Sequence, residues 1–156
     1  MGGRAEWMRE ALRLARDNVA AGGGPFAALV VRGGAVVATG VNRVVPDGDP
    51  TAHAEVVAIR EACRRLGSFD LSGCELYASC EPCPMCAGAI GWARLARVHY
   101  AAARGEAAAA GFDDERLWAD LARPPEARTP PAERLLADEG KGPFTAWLAR
   151  ADRRRY

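Results

Sequence analysis

The chain has 156 residues, 49% of them hydrophobic, which suits one domain with a sizeable buried core. Its 21 basic and 20 acidic residues leave a net charge of +1, so there is no overall field to hold a polyanion, and nucleic acid is an unlikely partner. Five cysteines, an odd number with Cys80, Cys83 and Cys86 crowded together, read as a reduced, cytoplasmic protein; Met1-Gly2-Gly3-Arg4 opens no secretory apolar region, and no run reaches the roughly 20 apolar residues of a membrane span.

Taken in chain order, residues 7–19 carry Trp7, Met8, Ala11, Leu12, Ala15 and Val19 at helical spacing, a surface helix that Gly22-Gly23-Gly24-Pro25 ends. Residues 26–31 and 35–41 are short β-branched runs joined by Arg32-Gly33-Gly34, which predicts a tight antiparallel hairpin. The Asn-, Asp-, Gly- and Pro-rich stretch 42–50 is a loop. Thr51 is a candidate N-cap for a helix over 52–66, with Gly67 as its stop. A strand is predicted over 74–79, a helix opened by Pro84 over 84–93, and a strand over 96–101. This β-α-β-α-β order implies parallel crossovers in a mixed sheet. Beyond Ala102, 113–122 and 144–151 look helical, prolines punctuate the chain, and the alanine runs carry no functional signal.

The chemistry concentrates in Pro50-Thr51-Ala52-His53-Ala54-Glu55 and Pro82-Cys83-Pro84-Met85-Cys86. One imidazole and two thiolates suit Zn²⁺, and three protein ligands leave a fourth position for water or hydroxide, the mark of a catalytic zinc. The paired pattern, H-x-E with P-C-x-x-C, is a known signature of the zinc deaminases. Cys83 and Cys86 begin one predicted helix and His53 another, so two helix N-termini could converge on one ion and offset its thiolate charges. Residues i and i+2 diverge by about 200° on a regular helix, so only a helix start lets His53 and Glu55 approach the same centre. Glu55 would then be the proton shuttle. A non-catalytic alternative is a structural or redox zinc module with Cys80 as fourth ligand. Cys80 otherwise reads as a buried strand end, Cys63 and Cys74 as core, and His99 as a strand histidine satisfied by a backbone partner.

These motifs, together with Gly24-Pro25-Phe26, Asn42, Trp92-Ala93-Arg94, Ala110-Gly111-Phe112-Asp113-Asp114, Pro143-Phe144 and Tyr156, resemble the bacterial guanine deaminases of the cytidine-deaminase-like superfamily almost end to end. The resemblance implies one three-layer α/β/α domain over 1–156 around a mixed five-stranded sheet. It implies one Zn²⁺ per subunit on His53, Cys83 and Cys86, with Glu55 transferring protons and Asp114 assisting. Phe26, Asn42, Ala54, Trp92, Asp114 and Tyr156 are implied at the substrate, Asn42 and Asp114 hydrogen-bonding the purine and Phe26 and Tyr156 packing on its ring. It further implies a homodimer that exchanges its C-terminal segments, about 128–156, so that Tyr156 serves the partner's site. The expected reaction converts guanine, a small purine base, to xanthine and ammonia. Guanosine, the triazine ammeline and adenosine in transfer RNA are the rival substrates.

Overall fold

Ala11 and Ala15 bury one face of the first helix, α1 (Arg4–Ala20), against a sheet, while Glu10, Arg13 and Asp17 link up on its solvent side. The structure is a computed structural model that describes residues 3–156; Met1 and Gly2, where the expected domain and the N-terminal reading begin, lie outside the described residues. After α1 the hairpin forms as predicted, β1 (Ala27–Arg32) pairing antiparallel with β2 (Ala35–Val41). A single turn, α2 (Val44–Asp47), sits within the predicted loop, and α3 (Ala54–Leu66) follows. Then come β3 (Cys74–Cys80), α4 (Pro84–Trp92) and β4 (Arg97–Ala102).

The sheet order is β2-β1-β3-β4, with β1 antiparallel to β3 and β3 parallel to β4. Two cores fill its faces. Ala28, Val30 and Leu76 point to one side and pack with Ala58, Ile59 and Ala62 of α3; Leu29, Val31 and Tyr77 alternate to the other side and meet α1. The result is the expected three layers, α1, sheet, and α3 with α4.

One expectation is corrected: the sheet has four strands among the described residues, not five. The residues themselves offered four β-branched runs, and the fifth came from resemblance alone. Past β4 the alanine-rich stretch forms α5 (Arg104–Ala109) instead. His99 also differs from its reading. Its Nε2 lies 2.8 Å from Glu75 Oε2, and its ring stacks on Tyr77, because β3 and β4 set Tyr77 opposite His99, with Glu75 two residues before Tyr77 on the same face of β3.

The chain forms two compact units, divided after Asp114. The second, Glu115–Tyr156, comprises α6 (Glu115–Leu121), two 3₁₀ turns, and α7 (Gly142–Ala149), which starts and ends two residues before the segment predicted for it. None of its residues is buried, and Leu135, Leu136, Phe144 and Leu148 are exposed. Among the described residues, no helix is long and apolar enough to cross a membrane.

Candidate metal centre and active site

Two helix starts build the centre. His53 is the N-cap of α3 and Cys83 the N-cap of α4, both in extended conformation; Cys86 lies in the first turn of α4 behind Pro84. Thr51, the predicted cap, instead belongs to a turn before the helix, where its N–H and hydroxyl both donate to Asp49 Oδ1, at 2.8 and 2.7 Å. That turn delivers the chain to His53, whose carbonyl accepts the Val57 N–H at 2.9 Å and starts the helix. Because His53 stands outside the helical spiral, it and Glu55 need not obey the divergence of two helical residues.

The ligand atoms of His53, Cys83 and Cys86 all lie within 4.8 Å of one another, and Nδ1 of His53 is 3.5 Å from each sulfur. A tetrahedral ion with Zn–N about 2.0–2.1 Å and Zn–S about 2.3 Å requires a nitrogen–sulfur edge of about 3.6 Å, so the three donors fit zinc with little movement. Among the described residues the cluster has no fourth member; Cys80 stays buried at the end of β3, outside it.

The centre opens on a cavity of about 730 Å³, a size typical of small-molecule sites. His53, Glu55 and Cys83 line it, together with the predicted Phe26, Asn42 and Asp114. Phe26 meets Phe112 edge-on, centroids 4.9 Å apart. Of the residues predicted at the substrate, Ala54 and Trp92 are not among its walls. Ala54 is buried in the core; Trp92, at the end of α4, is 68% exposed; Tyr156 belongs to the second unit and is 71% exposed. Sequence reasoning passed over Phe112, Glu81 and Arg104 as site residues, and all three line the cavity. Phe112 was present as a landmark without a role. Glu81 binds the metal-ligand loop to α5, since its Oε2 accepts the Arg104 N–H at 3.0 Å and its own N–H donates to the Ala102 carbonyl at 2.9 Å. Nothing in an alanine-rich stretch signals that pairing.

The zinc-binding region of the cytidine and deoxycytidylate deaminases matches residues 1–102. The chain belongs to this deaminase family. Guanine deaminase of Bacillus subtilis is 49% identical over 151 residues, 96% of this chain and 97% of that protein. An X-ray structure of guanine deaminase from the same species superposes with a TM-score of 0.97 at 47% identity, covering 99% of each chain. A tRNA-specific adenosine deaminase of Aquifex aeolicus is 42% identical over 100 residues, which is 64% of this chain and 66% of that one.

The electrostatics of the deaminase centre are those of a site built for a cation. The Cys83 thiol is held well below its ordinary range, chiefly by the hydrogen bond from Cys86 and also by His53. The partner Cys86 is pushed up by that same bond and by burial. His53 is raised by its hydrogen bond to Cys83, against the effect of burial. A divalent ion meets all three demands at once, because it replaces the shared proton and leaves two thiolates facing helix N-termini. Glu55 is 7% exposed, and burial raises its pKa against hydrogen bonds from its own backbone N–H and from Cys86. A carboxylate raised in this way is suited to accept and return a proton near neutral pH.

Proposed function

We infer that this chain catalyses the zinc-dependent hydrolytic deamination of guanine, releasing xanthine and ammonia. The observation that carries this reading is a three-donor metal set opening on the cavity beside a buried carboxylate, in a chain whose likeness to a guanine deaminase spans 96% of its length. The likeness to a transfer-RNA deaminase spans only 64%.

Zn²⁺ held by His53, Cys83 and Cys86 would supply a Lewis acid that lowers the pKa of water. Glu55 takes the proton from the attacking water and passes it to guanine N3 while the water oxygen bonds to C2. The second proton of that water, left on the new C2 hydroxyl, passes to the exocyclic nitrogen with Asp114 assisting; C2=O forms as the C2–N bond breaks, and ammonia leaves. Asn42 and Asp114 satisfy donors and acceptors on the purine edge, and Phe26 offers a ring face. As the first residue of α3, Ala54 has a backbone N–H without an intrahelical partner, and we assign its contribution to that group.

The active form we propose is a homodimer with exchanged C-terminal segments, about 128–156, in which the partner subunit's Tyr156 closes the pocket. What supports it is a second unit that buries none of its apolar side chains, and the outward-facing Trp92 and Tyr156. Free cysteines throughout and a dithiolate site fit a reducing cytoplasm. The test is a panel of guanine, guanosine, ammeline and adenosine-bearing transfer RNA on zinc-loaded protein, with metal content measured on the same sample. Absence of xanthine from guanine would remove the reading.

A further inference from the structure

Asn18 is a buried polar side chain, 7% exposed, on the sheet-facing side of α1 and outside the chemistry described above. Its single carboxamide nitrogen donates to two carbonyls, Gly24 at 2.8 Å and Asn42 at 2.9 Å. Both acceptors belong to residues that line the cavity. The ring of bonds closes around them: the Gly23 N–H donates to the Asn18 carbonyl at 2.8 Å, Phe26 N–H to Gly24 carbonyl at 2.8 Å, and Asn42 N–H to Phe26 carbonyl at 2.9 Å.

We propose that Asn18 is a positioning residue for purine recognition, setting the separation between the Gly24-Pro25-Phe26 wall and Asn42. Resting on the reading of this cavity as the purine site, the proposal gives α1 a part in specificity beyond packing the sheet. Asn42 is pinned at its N–H by Phe26 and at its carbonyl by Asn18, so its side chain leaves the backbone from a fixed point. Without the carboxamide, the Gly24 and Asn42 carbonyls, 2.8 and 2.9 Å from one shared donor, lose their bridge, and the Gly24-Pro25 wall is released from the Asn42 backbone. The glycine loop is shaped to admit the group: a Cβ on Gly23 would stand 2.4 Å from the Asn18 nitrogen. Neither the metal ligands nor Glu55 touch this ring of bonds, so losing it weakens the binding of ground and transition states alike. Such a loss raises KM and leaves kcat in place.

The test uses the full-length, zinc-loaded enzyme with guanine, in the variants Asn18→Ala and Gly23→Ala. The second keeps the carboxamide but displaces it, and it carries the test should the first fold poorly. The expected result is a KM raised about tenfold or more in both, with kcat within about threefold and zinc content unchanged. A merely structural role would instead reduce the folded fraction, lowering apparent kcat at constant KM. Combined with Asn42→Ala, the Asn18→Ala change should raise KM by a smaller factor than it does alone, because part of its effect passes through the Asn42 side chain. An unchanged KM in both variants, or full additivity with Asn42→Ala, overturns the proposal. A wild-type enzyme without turnover of guanine sinks the underlying reading instead, so the two failures are distinguishable.

Discussion

Gly40 on β2 is where the sheet touches the helix that carries the chemistry, and Gly40→Ala is the sharpest test of the site's rigidity. A Cβ there would stand 2.3 Å from the Ala54 carbonyl oxygen and 2.4 Å from the Ala58 nitrogen, both backbone atoms of α3. Contacts below 3.0 Å are essentially never seen at a real Cβ, so α3 and β2 must separate by about 0.7 Å or more at this point. Overpacking of this kind costs about 1–3 kcal/mol. In a protein of this size that is a fall in Tm of roughly 2–12 °C. Ala54 lies between His53 and Glu55, so the displacement reaches the metal ligand and the proton carrier together. A misplacement near 1 Å can cost about 10²-fold in rate. Calorimetry, metal analysis and steady-state kinetics on guanine should therefore report a lower Tm, weaker zinc retention and kcat down by about 10–100-fold. A variant with wild-type Tm and kcat within threefold would refute the claim that β2 sets the position of α3.

The other predictions concern single groups. Glu55→Gln should cut kcat by about 10²–10⁴-fold while metal analysis still finds one zinc per chain. Stripped of metal, the same variant should melt higher than wild type at neutral pH, since burial raises the Glu55 pKa and the amide removes a charge that the folded state holds at a cost. Glu75 behaves oppositely: hydrogen bonds from His99 and Tyr77 hold it below the ordinary carboxylate range. Its contribution is therefore present above the unfolded pKa and is lost as pH falls through the folded one. Glu75→Gln should cost about 0.2–1 kcal/mol in urea denaturation at pH 7, and the cost should shrink steadily as pH falls below the ordinary carboxylate range. Chelation should abolish turnover and lower Tm, and one equivalent of zinc should restore both. Raising salt from 50 to 200 mM should leave KM for guanine unchanged; a phosphate-gripping enzyme would lose about 10³–10⁵ in affinity.

Much of the fold was legible because it is written in local patterns. Gly67, with φ of 62°, ends α3 where a left-handed cap was predicted, and β2 spans the residues that its β-branched run marked out. Boundaries drifted where a long-range or competing bond intervened. Thr51 has better capping chemistry than His53, yet its hydroxyl is turned toward Asp49 in a tight turn, and the helix starts two residues later than predicted. α5 was missed because alanine runs are helix-compatible but anonymous, and its anchor, Glu81, lies 23 positions upstream of Arg104.

The candidate site divides along the same line. His53, Cys83 and Cys86 could be found by spacing, and Glu55 by the H-x-E pattern beside them, because a metal and its proton carrier must be served by residues near two helix starts. Recognition of the base obeys no such rule. Asn18 looks like one more polar position on an amphipathic helix, and Gly40 like a weak strand residue, until the sheet brings Asn42 within reach of the first and Ala54 against the second. Neither Asn18 nor Gly40 lines the cavity, yet each sets where a functional element stands. Chemistry in this chain is therefore encoded in short motifs, whereas selectivity depends on separations between α1, β2 and α3 that exist only once the core has formed. It follows that substitutions at Asn18 should change which purines bind well while leaving the hydrolytic step intact, and that substitutions at Gly40 should damage the step itself.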